Sequence, residues 1–330
     1  MQTIDYLGAD HFSALGETPV LIVEATDWNG PPAPVQAIIV GLDRTGDLPP
    51  VDDQQFDVLL TTRGAPPRPW IAVEPARFDE TVQRLGDLVH ANPIAATVAV
   101  QVLRLGAQLA LPDAIRVESL AYSALLGGAE FNRWLKKSSR GSQMLGAEQP
   151  VQVARDKDRI TLTLNDPGNR NAMAASMRDA LYEALANILD DPSKPVVTLE
   201  AAGKCFSTGG SLPEFGTARD LAEAHVARSL HSCALLLDAL GEQATVKLHG
   251  ACVGSGIEIA AAAHRRIAAP DAWFQLPELG MGLIPGAGGT ATVARAIGRH
   301  RTLWMLLRGR RIGAAQALEW GLVHAVREHM

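Results

Sequence analysis

Apolar positions change their spacing twice along this chain. Over the first 75 residues they come in short runs, Pro19–Val23, Val35–Val40, Phe56–Leu60 and Trp70–Val73, punctuated by Pro31–Pro34 and Pro66–Pro69. Short continuous apolar runs bounded by proline read as buried strands. From Pro75 the spacing becomes helical. Phe78, Val82, Leu85 and Val89 share one face, and Val98, Val102 and Leu105 share the next, after Asn92-Pro93. Ile115, Leu120 and Tyr122 belong to a third helix from Pro112, and Phe131, Trp134 and Leu135 to a shorter fourth. The polar stretch that follows reads as an exposed linker.

Beyond residue 151 strands and helices alternate. Ile160–Leu164, Val196–Leu199, Ala244–Leu248 and Arg266–Ala268 carry strand patterns, with helical patterns over 172–190, 218–240, 256–264 and 288–297. Such alternation predicts an α/β layered core. The expected division is a short β-rich segment at 1–75, a helical module at 76–136, a linker at 137–150 and an α/β core at 151–330.

With 47% hydrophobic and 20% charged residues among 330, the chain can bury a sizeable core, and global disorder is excluded. A net charge of −6 argues against nucleic acid as the main partner. The charge is uneven: residues 1–150 carry 18 acidic and 11 basic side chains, residues 151–330 carry 18 and 19. A polyanionic ligand should therefore prefer the second half. Three cysteines, Cys205, Cys233 and Cys252, form no C-x-x-C pair and suit a reducing compartment. No apolar run approaches the roughly 18 residues of a membrane span. Met1–Asp5 lacks the basic and apolar regions of a secretory signal, so a cytoplasmic protein is expected. The histidines lack metal-ligand spacing.

Three segments carry candidate chemistry. Gly203–Ser211 follows a strand, and its paired glycines permit a tight turn that aims N–H groups at a ligand; an ordinary strand-to-helix turn competes with that reading. His249–Glu258 has glycines at 250, 254 and 256 before a helix whose first N–H groups would stabilise developing negative charge. Glu258 falls in the first turn of that helix, where a surface glutamate complementing the dipole is the plainer alternative. Glu278 lies between Trp273–Pro277 and the glycine-rich Gly280–Thr290. Desolvation there would raise its pKa, as a general acid requires; a structural carboxylate accepting turn N–H groups is the alternative.

Taken in order, these segments resemble the crotonase (enoyl-CoA hydratase/isomerase) superfamily over residues 151–326. The resemblance rests on Leu164-Asn165-Asp166-Pro167, Arg170-Asn171-Ala172, Gly203–Gly209, Gly250 to Glu258, Pro277–Thr290 and Gly309 to Val323. It implies a core of stacked ββα units, an acyl-CoA thioester as substrate, and an enolate held by two backbone N–H groups. By motif position those belong to Gly210 and Ser255, while Glu258 and Glu278 occupy the two glutamate positions of the hydratases. Ser207, Thr208 and Gly209 are implied to contact the adenine and pantetheine of CoA. The implied reaction is reversible hydration of a 2-enoyl-CoA without metal or redox cofactor, in a homotrimer or homohexamer.

The chain departs from the family pattern at three places. Gly209-Gly210-Ser211 replaces the usual Gly-Ala-Asp, Ser255 interrupts a glycine triplet, and His264 stands where aspartate is common. An isomerase, thioester hydrolase or C–C lyase reaction, or a non-catalytic acyl-CoA binding subunit, therefore stays open. Family members also continue past Trp320-Gly321-Leu322-Val323 into helices that cover the pocket. Here Ile71–Phe78, Asn92–Val98, Glu118–Tyr122 and Glu130–Leu135 resemble that part. The helical module is thus expected to be the family's C-terminal helices in rearranged order, by circular permutation or from a degenerate first copy. An unrelated helical appendage is the alternative. Trp273, Met281 and Leu283 are expected either in an acyl pocket or in the core.

Overall fold

The structure, a computed structural model, describes residues 8–30, 35–139 and 146–328. Met1–Asp5, Pro31–Pro34, residues 140–145 of the expected linker and His329-Met330 lie outside the described residues. The four early apolar runs become β1 (Val20–Glu24), β2 (Ile38–Asp43), β3 (Val58–Thr61) and β4 (Ile71–Ala72). They lie parallel and in chain order across one sheet. Every residue of β2 is buried, as in a parallel strand covered on both faces. Asp57 ties this sheet to the rest of the protein. The carboxylate is 1% exposed, accepts the Ile39 N–H at 2.9 Å and receives both arms of Arg104 at 2.8 and 2.6 Å. Arg299 approaches it at 3.5 Å.

The helical spacing folds as α1 (Phe78–Ala91), α2 (Pro93–Gly106), α3 (Leu111–Leu126) and α4 (Ala129–Lys137). Proline in the first turn of α2 and of α3 presets φ where no intrahelical N–H bond is lost. Phe78, Val82, Leu85 and Val89 are all buried, as their spacing requires. Leu105 and Leu120 depart from expectation and are 53% and 56% exposed. The reason is that α2 buries its Ala95, Ala99, Val102 and Leu103 side, and α3 turns Ile115, Glu118 and Ser119 inward.

In the second half, β5 (Val151–Asp156) and β6 (Arg159–Leu164) form an antiparallel pair, followed by α5 (Ala175–Leu189) and β7 (Val196–Ala201). Next come α6 (Leu221–Leu230), α7 (Cys233–Ala239), β8 (Ala244–Leu248), β9 (Ala251–Val253), α8 (Ser255–Ala260), β10 (Arg265–Ala268) and β11 (Trp273–Gln275). The chain closes with α9 (Gly289–Ile297), α10 (Arg299–Arg308), β12 (Ile312–Gly313), α11 (Ala314–Trp320) and β13 (Ala325–Val326). The large sheet runs β13-β10-β8-β7-β6-β5, and β12-β11-β9 forms a small one. Register is continuous from Ile160 to Val197 to Ala244, stacking the apolar faces of three parallel strands.

Three expected helices have different limits. The helix expected at 218–240 is broken in two, with Ser232 capping α7 by accepting the Leu235 N–H at 3.4 Å. The one expected from 172 starts at Ala175, because Arg170 and Asn171 are left-handed at φ 56° and 51°. The one expected over 256–264 ends at Ala260.

The helices of the first half cover the core of the second. α2 and α3 pack on α9, α1 and α2 on α10, and α3 on α6. No single helix among the described residues is long and apolar enough to cross a membrane. Asp57→Ala should strand Arg104 and the Ile39 N–H in this seam. Loss of one partner of a buried pair predicts about 3 kcal/mol of destabilisation in a denaturant titration; a change within the error of the measurement would mean the seam is held by packing alone.

Candidate active site

Two glycine-bearing loops are brought side by side by backbone pairing. Phe206 N–H donates to His249 O at 2.9 Å, Ser207 N–H to Ala251 O at 3.0 Å, and Val253 N–H to Ser207 O at 3.1 Å. The approach is close enough to require glycine. A Cβ on Gly209, at φ +88°, would stand 2.9 Å from Val253 O, and one on Gly254, at φ +48°, 2.8 Å from Glu278 Oε1. Among the described residues, the neighbouring N–H groups of Gly210 and Ser255 donate to no protein acceptor. The Ser255 hydroxyl is likewise buried without a partner.

Glu258 sits in the first turn of α8 and is buried, not on the surface. Its Oε2 accepts the N–H groups of Ala287 at 2.7 Å and Gly289 at 3.1 Å, and its carbonyl accepts the Thr292 hydroxyl at 2.6 Å. Burial pushes this carboxyl up to about 7, against the opposing effect of its N–H bonds. Glu278 opens the 3-10 turn Glu278–Met281 and is also buried. Its Oε2 has no hydrogen-bond partner among the described residues, so it is not a turn carboxylate saturated by N–H groups. Burial, then the charges of Glu258 and Glu118, raise it well above the usual carboxylate range. Its Oε1 and that of Glu258 lie 2.8 and 3.8 Å from the same point beside Gly254, which places the two acids in one site.

A third acid, Glu118 of α3, reaches the same place. Its Oε1 accepts the Gly288 N–H at 2.6 Å, and its Oε2 accepts the N–H and hydroxyl of Thr290 at 2.7 and 2.6 Å. Burial and the nearby Glu258 raise it to about 8. Sequence reasoning did not single out Glu118 for chemistry. A signal was present: a glutamate at helical spacing from Leu111 and Ile115, on the buried stripe of α3. Tyr122, one turn on, lays its ring 2.9 Å from the Cβ position of Gly286, and Arg228 stacks over that ring at 4.9 Å.

The expected ligand-contacting loop is only partly open. Ser207 is fully buried, its hydroxyl donates to Asn171 O at 2.7 Å, and its N–H and C=O are both paired. This corrects the expectation that Ser207 meets a ligand: it holds the two loops together instead. Gly209 likewise spends its N–H on Ser207 Oγ and its C=O on the Met173 N–H. Thr208 lines two adjoining cavities. One is about 950 Å3 and is bordered by Arg170, Lys204, Asp271, Trp273 and Arg311. The other is about 360 Å3 and is bordered by Arg170, Gly210 and Ser211. Leu283 is core and Trp273 stacks under Arg311 at 3.7 Å, so the expected trio with Met281 does not form one acyl-facing wall. The three cysteines are buried and free, and burial raises the Cys252 thiol well above its usual value. Among the described residues no group of three or more His, Cys, Asp or Glu is arranged to hold a metal ion.

A family model described as enoyl-CoA hydratase/isomerase matches residues 157–329. YngF of Bacillus subtilis (strain 168), whose name assigns it provisionally to the same group, is 36% identical over 166 residues, covering 50% of this chain and 64% of YngF. The fatty acid oxidation complex subunit alpha of Shewanella sp. (strain W3-18-1) is 33% identical over 185 residues, 54% of this chain and 26% of that protein. The chain thus spans less than two thirds of either relative. The crystal structure of enoyl-CoA hydratase from Thermoplasma volcanium GSS1 superposes with a TM-score of 0.51 at 27% identity, covering 55% of this chain and 73% of that one.

The raised carboxyls have a consequence for stability. A carboxyl that binds its proton more tightly when folded contributes stability that is complete below its ordinary value of 4.5 and is lost as pH rises through the folded value, about 7 for Glu258 and about 8 for Glu118. Melting temperature should therefore fall from about pH 5 to about pH 9, and less steeply in Glu258→Gln than in the parent. Identical slopes in the two proteins would show that Glu258 is ionised throughout.

Proposed function

Because the chain belongs to the enoyl-CoA hydratase/isomerase family, we propose that it adds water reversibly across the C2–C3 double bond of a 2-enoyl-CoA thioester. One observation carries this reading. Two N–H groups without acceptors among the described residues, at Gly210 and Ser255, stand on loops that also border two buried carboxyls of raised proton affinity.

In the proposed reaction the thioester oxygen takes up these two N–H groups. Negative charge developing there as water attacks C3 is stabilised by fixed dipoles, each donor lowering the barrier by about 3 kcal/mol. Glu258 keeps two N–H donors, from Ala287 and Gly289, which favour its ionised form. It is assigned the proton of the attacking water. Glu278 has an oxygen with no donor and holds its proton more tightly. It is assigned protonation of C2. The water oxygen bonds to C3, its proton passes to Glu258, and the Glu278 proton passes to C2. One proton transfer between the acids, through solvent, restores the start. No electrons change hands, so the reaction calls for no redox cofactor.

Arg170, Lys204 and Arg311 give the larger cavity the positive charge that the phosphates of CoA would need. The packing of α2 and α3 over α9, and of α1 and α2 over α10, supports a further proposal, that residues 76–136 stand in for the family's C-terminal helices. A homotrimer or homohexamer is the proposed assembly.

The test is loss of enoyl absorbance with crotonyl-CoA and bulkier enoyl-CoA esters. Glu258→Gln and Glu278→Gln should each lower kcat by about 10²–10⁴-fold. Strongly unequal effects would favour an isomerase using one acid. Binding of CoA esters with no turnover of any would overturn the hydratase reading.

A further inference from the structure

We propose that Glu118 is a positioning residue for Glu258, holding from the far side the turn on which the Glu258 carboxylate hangs. The inference rests on the hydratase reading of the site. Its geometric basis is an alternation. At the start of α9 four successive N–H groups are shared between two acids: Ala287 and Gly289 donate to Glu258, Gly288 and Thr290 to Glu118. The cap residue of α9 is Gly288, so the N–H groups of Gly288, Gly289 and Thr290 are among the donors that a helix start leaves without intrahelical partners, and that of Ala287 comes just before them. Both acids are buried, and neither can be replaced by water without opening the site.

A carboxylate at position 118 is costly if its only task is packing. It faces inward one turn on from the buried Leu111, Ala114 and Ile115, where an apolar residue would avoid desolvation. What it gains is three donors on one turn, two N–H groups and the Thr290 hydroxyl. Withdrawing it leaves those donors unpaired and frees the turn that orients Glu258. A displacement of about 1 Å there can cost about 10²-fold in rate.

Glu118 also shares its titration with Glu258. The groups facing it are Glu258 from α8, Glu278 from the 3-10 turn, Thr290 from α9, Tyr122 on α3 itself and Arg228 from α6. Arg228 is the one cation among these, and it is directed to Ser119 and Ser123 and stacked on Tyr122. Glu258 helps raise the proton affinity of Glu118 to about 8, above its own value of about 7, so Glu118 keeps its proton while Glu258 ionises and the two titrate as a coupled pair.

Glu130 supplies an internal control. It is also a buried glutamate on the helical segment, and it accepts the N–H groups of Ile94 and Ala95 at 2.9 Å at the start of α2, where neither Glu258 nor Glu278 is a partner. The experiment compares pH profiles of kcat/KM for crotonyl-CoA in the parent, Glu118→Gln, Glu118→Asp and Glu130→Gln. Glu118→Gln should lower kcat about 10–100-fold with KM little changed. The second, coupled step should disappear from the profile, leaving the limb that belongs to Glu258 as a single ionisation. Glu118→Asp, which keeps an acid at this position, should retain both steps. Glu130→Gln should lower the melting temperature and move neither quantity.

If Glu118→Gln behaves like Glu130→Gln, the proposal is overturned. If Glu118→Gln does not fold, Thr290→Val, which withdraws one donor from Glu118, should still lower kcat several-fold, and parent-like turnover in it would refute the idea. Should the parent itself not hydrate any enoyl-CoA, the hydratase reading fails separately. Glu118 is then judged by the 13C-carboxyl titration of Glu258, assigned with Glu258→Gln; an unchanged titration in Glu118→Gln rejects the proposal.

Discussion

Four N–H groups at the start of one helix, on residues 287 to 290, must be satisfied where the surroundings are buried, and two carboxylates share them. The helix start cannot supply its own acceptors. Water would supply them only by wetting the pocket. Acids from α3 and α8 do it instead, and the arrangement they make reaches across the whole protein. It fixes the Glu258 carboxylate, requires α3 to lie against α9, and draws the first half of the chain over the core of the second.

That solution carries an electrostatic cost. Glu118, Glu258 and Glu278 are buried within reach of one another, and each is pushed toward its protonated form. What separates them is the balance of like charge against donors: the charge of Glu258 raises both Glu118 and Glu278, while donors oppose the shift. Glu118 accepts three hydrogen bonds, Glu258 two on its carboxylate, and Glu278 leaves one oxygen without any. Like charges in a dry pocket do not all ionise together, so the set behaves as coupled acids whose protons are unevenly held. Uneven holding is what acid–base chemistry with two carboxyls requires. Asp57 shows the contrasting case: a buried carboxylate saturated by Arg104 and the Ile39 N–H, and therefore a structural tie.

The loops impose a second constraint. Gly254 keeps a positive φ, and a side chain there would collide with the Glu278 carboxylate. Ser207, completely enclosed, spends its N–H and C=O on holding the Gly209 and Gly254 loops together, and its hydroxyl on Asn171 O. The two open N–H groups, at Gly210 and Ser255, are thus set by backbone pairing several residues away.

The order of strands and helices was legible in the chain itself, because periods of about two and 3.6 residues are local properties. The four early strands, the four helices from Phe78 to Lys137, and the alternation after residue 151 followed from spacing alone. The glycines and the two glutamates of the candidate site were singled out by contiguous motifs, and their roles came from the family resemblance that those motifs carry. Strands of two or three residues, such as β9, β11 and β12, are too short to show a period. The break at Ser232 was also hidden, since a cap interrupts a helix without disturbing its apolar pattern. Ser207 looked open to a ligand because glycines flank it; only the pairing with Ala251 and Val253 closes it. Glu118 is the sharpest case. Its partner Thr290 is 172 residues away. A carboxylate's proton affinity depends on which donors, charges and apolar walls surround it. Those neighbours are brought together by packing, so the sequence by itself determined which acids the chain carries, and the tertiary structure decided which of them are buried, paired and coupled.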